Sequence, residues 1–115
     1  MTNPKRGEMN LSLNGQSFKV KINMDVVMRI ETSVGLGVLR IAQDLSRGDI
    51  SASKIVSILT PVLRTSGKDF SEKEVGALIW EGGFTQGLQT VAEVMGHIIS
   101  GGGSVGNEQA EVPTA

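Results

Sequence analysis

The side chains able to do chemistry are few: one histidine, a scatter of carboxylates and no cysteine. A general base needs a partner at hydrogen-bonding reach, and His97 stands among Met95, Gly96 and Ile98, with Glu93 at i−4 as its nearest same-face acid. That spacing suits a weak helix pair better than a catalytic dyad, so His97 reads as structural. Asp44 and Asp49 flank a short segment that could be imagined as a calcium loop. An EF-hand counted from Asp44 needs glycine at its sixth position, where Asp49 stands. Arg47-Gly48-Asp49 spells an integrin tripeptide but falls where a helix should end and turn. Gly101-Gly102-Gly103 lacks the Lys-Ser/Thr of a phosphate loop and reads as linker. Without cysteine there is no disulfide framework and no thiolate metal site. This inventory implies no enzyme, no cofactor, no metal and no small-molecule substrate.

Charge narrows the classes further. The 115 residues amount to one domain, with a formal net charge of −1. Lys5, Arg6, Lys19 and Lys21 outnumber Glu8 at the start, while Glu108 and Glu111 are the only charges near the end. The middle is mixed and offers no basic face, which argues against a nucleic-acid binder. The N-terminus is polar and no apolar run approaches the ~20 residues of a membrane helix, so the expected compartment is the cytoplasm.

The elements that would position any site begin with a hairpin. Residues 1–7 read as a flexible lead-in. Met9, Leu11 and Leu13 then alternate with polar residues, as do Phe18, Val20 and Ile22 after Asn14-Gly15. Asn-Gly suits the type I′ turn of a two-residue hairpin loop. That loop sets Leu11 opposite Phe18, Met9 opposite Val20 and Glu8 opposite Lys21, with one apolar face over 8–22. An isolated hairpin is marginal in water, so helices must cover that face.

Five helices are expected, over about 25–34, 38–46, 52–65, 72–81 and 85–100. The first is capped by Asn23 or Asp25, carries Val26, Val27, Ile30 and Val34, and stops at Gly35-Leu36-Gly37. Leu39, Ala42 and Leu45 are in phase on the second. The third carries Ile55, Val56, Leu59, Val62 and Leu63, with Pro61 predicting a kink or break near 58–60. Ser71 and Glu74 form a capping box at the start of the fourth, which buries Val75, Leu78 and Ile79. Leu88, Val91, Ala92, Met95 and Ile99 are in phase on the fifth. Residues 101–115 offer nothing to bury and read as a disordered tail. The fold class is thus α+β, mostly α: an N-terminal antiparallel hairpin packed on four to five short helices, a single domain over 8–100.

With no catalytic set, contact residues become the question. Trp80 and Phe84, in a chain with one Trp, three Phe and no Tyr, are either core anchors or exposed interaction residues. Trp80 lies off the tightest stripe of its helix, yet the balance falls on the core. The hairpin edge offers unpaired backbone groups to which a partner or second copy could add a strand. Candidate partner-binding residues are therefore Phe18, Val20, Trp80 and Phe84. A helix-turn-helix around Gly35 is a competing reading, since Ile41 falls where that motif wants an apolar residue. Glu31, four before the turn glycine, stands where a small residue should be, and Arg40, Gln43 and Asp44 make a poor recognition surface.

Arg6-Gly7-Glu8, the Asn14-Gly15 hairpin, Ile30-Glu31, Gly35-Leu36-Gly37, Ile58-Leu59 and Gly67 together resemble the small tail proteins of gene transfer agents and related siphophages, grouped with tail assembly chaperones. The resemblance covers roughly residues 6–95. It implies a cytoplasmic assembly factor that binds tape-measure or tail-tube protein during tail morphogenesis and is absent from the mature particle, with homo-oligomerisation possible. It carries no catalytic residues. A structural tail component retained in the particle is the alternative, and a small DNA-binding regulator a more distant one.

Overall fold

Strands β1 (Glu8–Leu13) and β2 (Gln16–Lys21) pair antiparallel in the expected register, Leu11 opposite Phe18 and Glu8 opposite Lys21. The computed structural model describes residues 7–100; the lead-in before Gly7 and the segment 101–115 lie outside the described residues. Asn14 and Gly15 both take positive φ, 53° and 73°, as a type I′ turn requires. Gly7, assigned to the lead-in by sequence, instead continues the ladder: its carbonyl accepts the Ile22 N–H at 2.7 Å. Its φ is +87°, and a Cβ there would run into the Ile22 carbonyl, so only glycine fits.

Helices α1 (Met24–Val34), α2 (Val38–Ser46), α3 (Ala52–Arg64), α4 (Glu72–Gly82) and α5 (Phe84–Ile99) follow. The fold is α+β and mostly helical, as the sequence predicts. The starts are set by side chains: Asn23 accepts from Val26 N at 3.0 Å and Ser51 from Lys54 N at 3.2 Å. Ser71 and Glu74 complete the capping box. The hydrogen bond from the Ser71 backbone N–H also holds the Glu74 carboxyl below its ordinary range. Gly35, at φ 84°, closes α1.

The centre is α3. Ile55, Ile58, Leu59, Val62 and Leu63 are fully buried, and α1, α4, α5 and β2 all pack on it. The helix runs unbroken through Pro61, so of the predicted kink or break the break does not occur. Pro61 forfeits the bond its own N–H would have made and its ring crowds the Ser57 carbonyl one turn back, a cost offset by burial of Pro61 beside Val62 and Leu63. The apolar face of the hairpin, Leu11, Leu13, Val20 and Ile22, completes the core.

The hairpin tip is seated at the junction of α4 and α5. Asn14 N donates to Gln86 Oε1 at 2.7 Å, and Asn14 Nδ2 to Glu81 Oε1 at 3.1 Å. A Cβ on Gly82 would lie 2.8 Å from Asn14 N, so this close approach requires glycine.

Candidate partner-docking surface

The groups that sequence reading weighed for chemistry are taken up by the fold. Asp44 is only 4% exposed and is held by Arg40 at 3.2 Å and by Arg47, an ion-pair cluster within α2 and its end rather than half of a cation site. Glu31 reaches across Gly35 to accept the Val38 N–H at 2.9 Å, capping α2 where Gly37 has no side chain to do so. That role accounts for a carboxylate at the position a helix-turn-helix would keep small. His97 is half-buried; its Nε2 finds no hydrogen-bond partner among the described residues, and burial pushes its pKa below the ordinary 6.5. Among the described residues, no group of three or more His, Asp or Glu is placed to hold a metal ion.

The four candidate contact residues divide sharply. Val20 is 1% exposed and belongs to the core, so it has no surface to offer a partner. The alternation that marked it as one face of a strand placed it on the inner face. Phe18 is half-buried, its ring edge-on to Phe70 at 5.7 Å between centroids. Trp80, by contrast, is 85% exposed, and Phe84 is 47% exposed. The expectation of a core tryptophan is not met. On α4, Val75 and Ile79 turn inward at i and i+4, and Trp80 is a further 100° round the helix.

Trp80 and Phe84 share a shallow groove of about 330 Å³ with Ala52, Ser53, Val56, Gly76 and Ile79. Gly76 lies one turn before Trp80 and Ala52 and Ser53 are short, so no neighbouring side chain covers the indole. Tryptophan exposed over an apolar floor is the residue type that dominates binding energy at protein interfaces.

The strand edges are less available than the sequence suggests. In this register the outward backbone groups belong to Glu8, Asn10 and Ser12 on β1 and to Ser17, Lys19 and Lys21 on β2. Lys21 N donates to Thr65 Oγ1 at 2.8 Å, whereas the single hydroxyl proton of Thr90 goes to Gln86 O at 2.8 Å, with Ser12 O more distant at 3.3 Å. The C-cap of α3 thus closes one end of the β2 edge, and α5 packs against β1.

A second apolar groove lies between α2 and α5. Leu45, Ile50, Leu88, Ala92, Met95 and Ile99 line about 690 Å³ of it. Ile99 also lines an adjoining hollow with Met24, Leu39 and Ile98. The predicted stripe of α5 is therefore split, and none of the predicted α2 stripe, Leu39, Ala42 and Leu45, is buried. Ile41 and Asp44 face the core from α2, and Val91 and Met95 from α5, while Leu39, Ala92 and Ile99 are exposed.

The surface that distinguishes this small α+β domain is apolar and built by helices. Among known families, residues 6–101 match the family described as phage tail tube protein, GTA-gp10. The chain belongs to that family of phage tail proteins. No curated protein and no solved structure matches it.

Proposed function

We propose that the protein acts without catalysis as a tail assembly chaperone, binding the tape-measure or tail-tube protein during morphogenesis in the host cytoplasm and leaving before the particle is complete. The observation that carries this reading is the exposed Trp80 beside Phe84 over a floor of small residues. A holding protein needs accessible apolar surface of this kind. Co-expression with the tape-measure protein of the same phage or gene transfer agent should yield a complex that co-purifies. Trp80→Ala should weaken that complex by roughly thirtyfold or more, the loss of an interface hot spot. No complex with either tail protein, and no gain in their solubility, would count decisively against the proposal.

A second reading, a structural subunit retained in the particle, is favoured by the tail-tube description of the family. Mass spectrometry of purified particles separates the two. A chaperone should be absent, and a stoichiometric amount in the tail would establish the structural role instead.

A further inference from the structure

Asn14-Gly15 is a pair able to change its own covalent structure, and the fold fastens it in place. In an Asn-Gly pair the deprotonated glycine nitrogen can attack the asparagine Cγ. The Cγ–Nδ2 bond breaks, ammonia leaves and a succinimide closes. Water then opens that ring to aspartate or isoaspartate. Glycine favours the attack because no Cβ shields its nitrogen. Around Gly15 the place a Cβ would take is open space, and among the described residues its N–H has no hydrogen-bond partner. The nucleophile is therefore free.

The electrophile is held. Asn14 Nδ2 donates to Glu81 Oε1 at 3.1 Å, and Asn14 N to Gln86 Oε1 at 2.7 Å. These acceptors stand in the last turn of α4 and the first turn of α5, on either side of the Gly82 that the tip approaches. Cyclisation needs the Asn14 amide carbon to swing onto the Gly15 nitrogen, so the Glu81 bond must break and the tip must shift first. The rate then follows the population of the unseated tip. The product cannot retake the seat. Asp-Gly suits a type I′ turn, so aspartate keeps the turn itself. Its carboxylate brings no donor to Glu81 Oε1 and sets like charges at hydrogen-bonding distance. Isoaspartate also adds a main-chain methylene to the two-residue loop that fixes the register.

We propose that Asn14 is a spontaneous deamidation site gated by its seat on Glu81 and Gln86, and that the reaction irreversibly releases the hairpin tip from the α4–α5 junction. Nothing in this step depends on what Trp80 binds.

Incubation of the full chain in mildly alkaline buffer, followed by peptide mass spectrometry, reads the conversion of amide to acid at residue 14. The chain unfolded in guanidinium sets the ungated rate. The native chain should convert at residue 14 at least roughly tenfold more slowly, since unseating breaks two hydrogen bonds. Gln86→Ala removes one of them and should raise the native rate by roughly three- to tenfold. Ile58→Val, which weakens the core on α3 away from the seat, should leave that rate unchanged. Asn14→Asp should lower the melting temperature, and adding Glu81→Gln, whose amide can donate to the new carboxylate, should restore it. No conversion at residue 14 of the native chain, equal native and unfolded rates, or a rate unmoved by Gln86→Ala or raised equally by Ile58→Val would overturn the gated site. A melting temperature that Asn14→Asp leaves unchanged, or that Glu81→Gln fails to restore, would overturn the release of the tip.

Discussion

The hairpin tip and the outer face of the helices treat their exposed groups in opposite ways. At the tip, Asn14 is bonded through both its backbone N–H and its side-chain amide, and at the far end of the hairpin Lys21 N is bonded to Thr65. On the outer face, Trp80, Phe84, Leu39 and Ile99 remain exposed, with grooves beside them. The strand pair, the element most suited by type to recruiting partners, is consumed in holding the fold together. The helices keep apolar surface in reserve. Surface availability, rather than element type, decides which face of this molecule is open to a partner.

The most severe way to break the hairpin is Gly7→Ala at its open end. A left-handed backbone costs a Cβ-bearing residue about 1–2 kcal/mol, and the collision with the Ile22 carbonyl adds about as much again. Urea denaturation should show a loss of roughly 3 kcal/mol. Gly48→Ala, also at positive φ (72°) but with open space around it, should lose only the backbone share, about 1–2 kcal/mol. Equal losses at the two sites would show that Gly7 is not wedged in the ladder.

Gln86→Ala tests the seat itself. It leaves Asn14 N without its acceptor and should cost about 1–2 kcal/mol in the same measurement. An unchanged midpoint would mean that water replaces the amide and the tip is not fastened there.

Much of the hairpin and of the helix ends was legible in the sequence, because hairpin register, capping box and glycine stops are local signals. Asn14-Gly15 and Ser71 with Glu74 needed no tertiary information. The seat of Asn14 on Gln86 spans 72 positions in the chain, and no local pattern announces it. Gly7 gave a weaker signal: extending the register by one pair beyond Glu8 and Lys21 sets Gly7 opposite Ile22. On the outer face, periodicity correctly found apolar stripes on α2 and α5 but could not say which side faced the core. Ile41 competes with Leu39 on α2, and Val94 with Ala92 on α5. Helical phase cannot choose between two overlapping apolar arcs.

His97 offers a smaller perturbation between the two regions. Its pKa is lowered in the folded chain by burial, so the unfolded chain binds the proton more readily. Stability is therefore greatest above the unfolded value of 6.5 and declines as pH falls towards the lowered folded value. Thermal melts between pH 6.5 and 4.5, above the ordinary glutamate pKa, should show this decline, and His97→Gln should flatten it. A slope unchanged by the substitution would assign the effect to other groups.

The smallest expected change in stability is also the most discriminating one. Trp80→Ala should alter unfolding by no more than about 0.5 kcal/mol, because an indole that is 85% exposed loses little packing on truncation. A tryptophan anchored in the core would cost about 3–5 kcal/mol. A loss of that size would return Trp80 to the interior and remove the basis for a docking surface there. A neutral melt accompanied by failure to capture a tail protein would separate binding from folding at a single side chain. Val20→Ala supplies the opposite case: removing its buried methyl groups should destabilise the hairpin side of the core, so any loss of capture would follow unfolding.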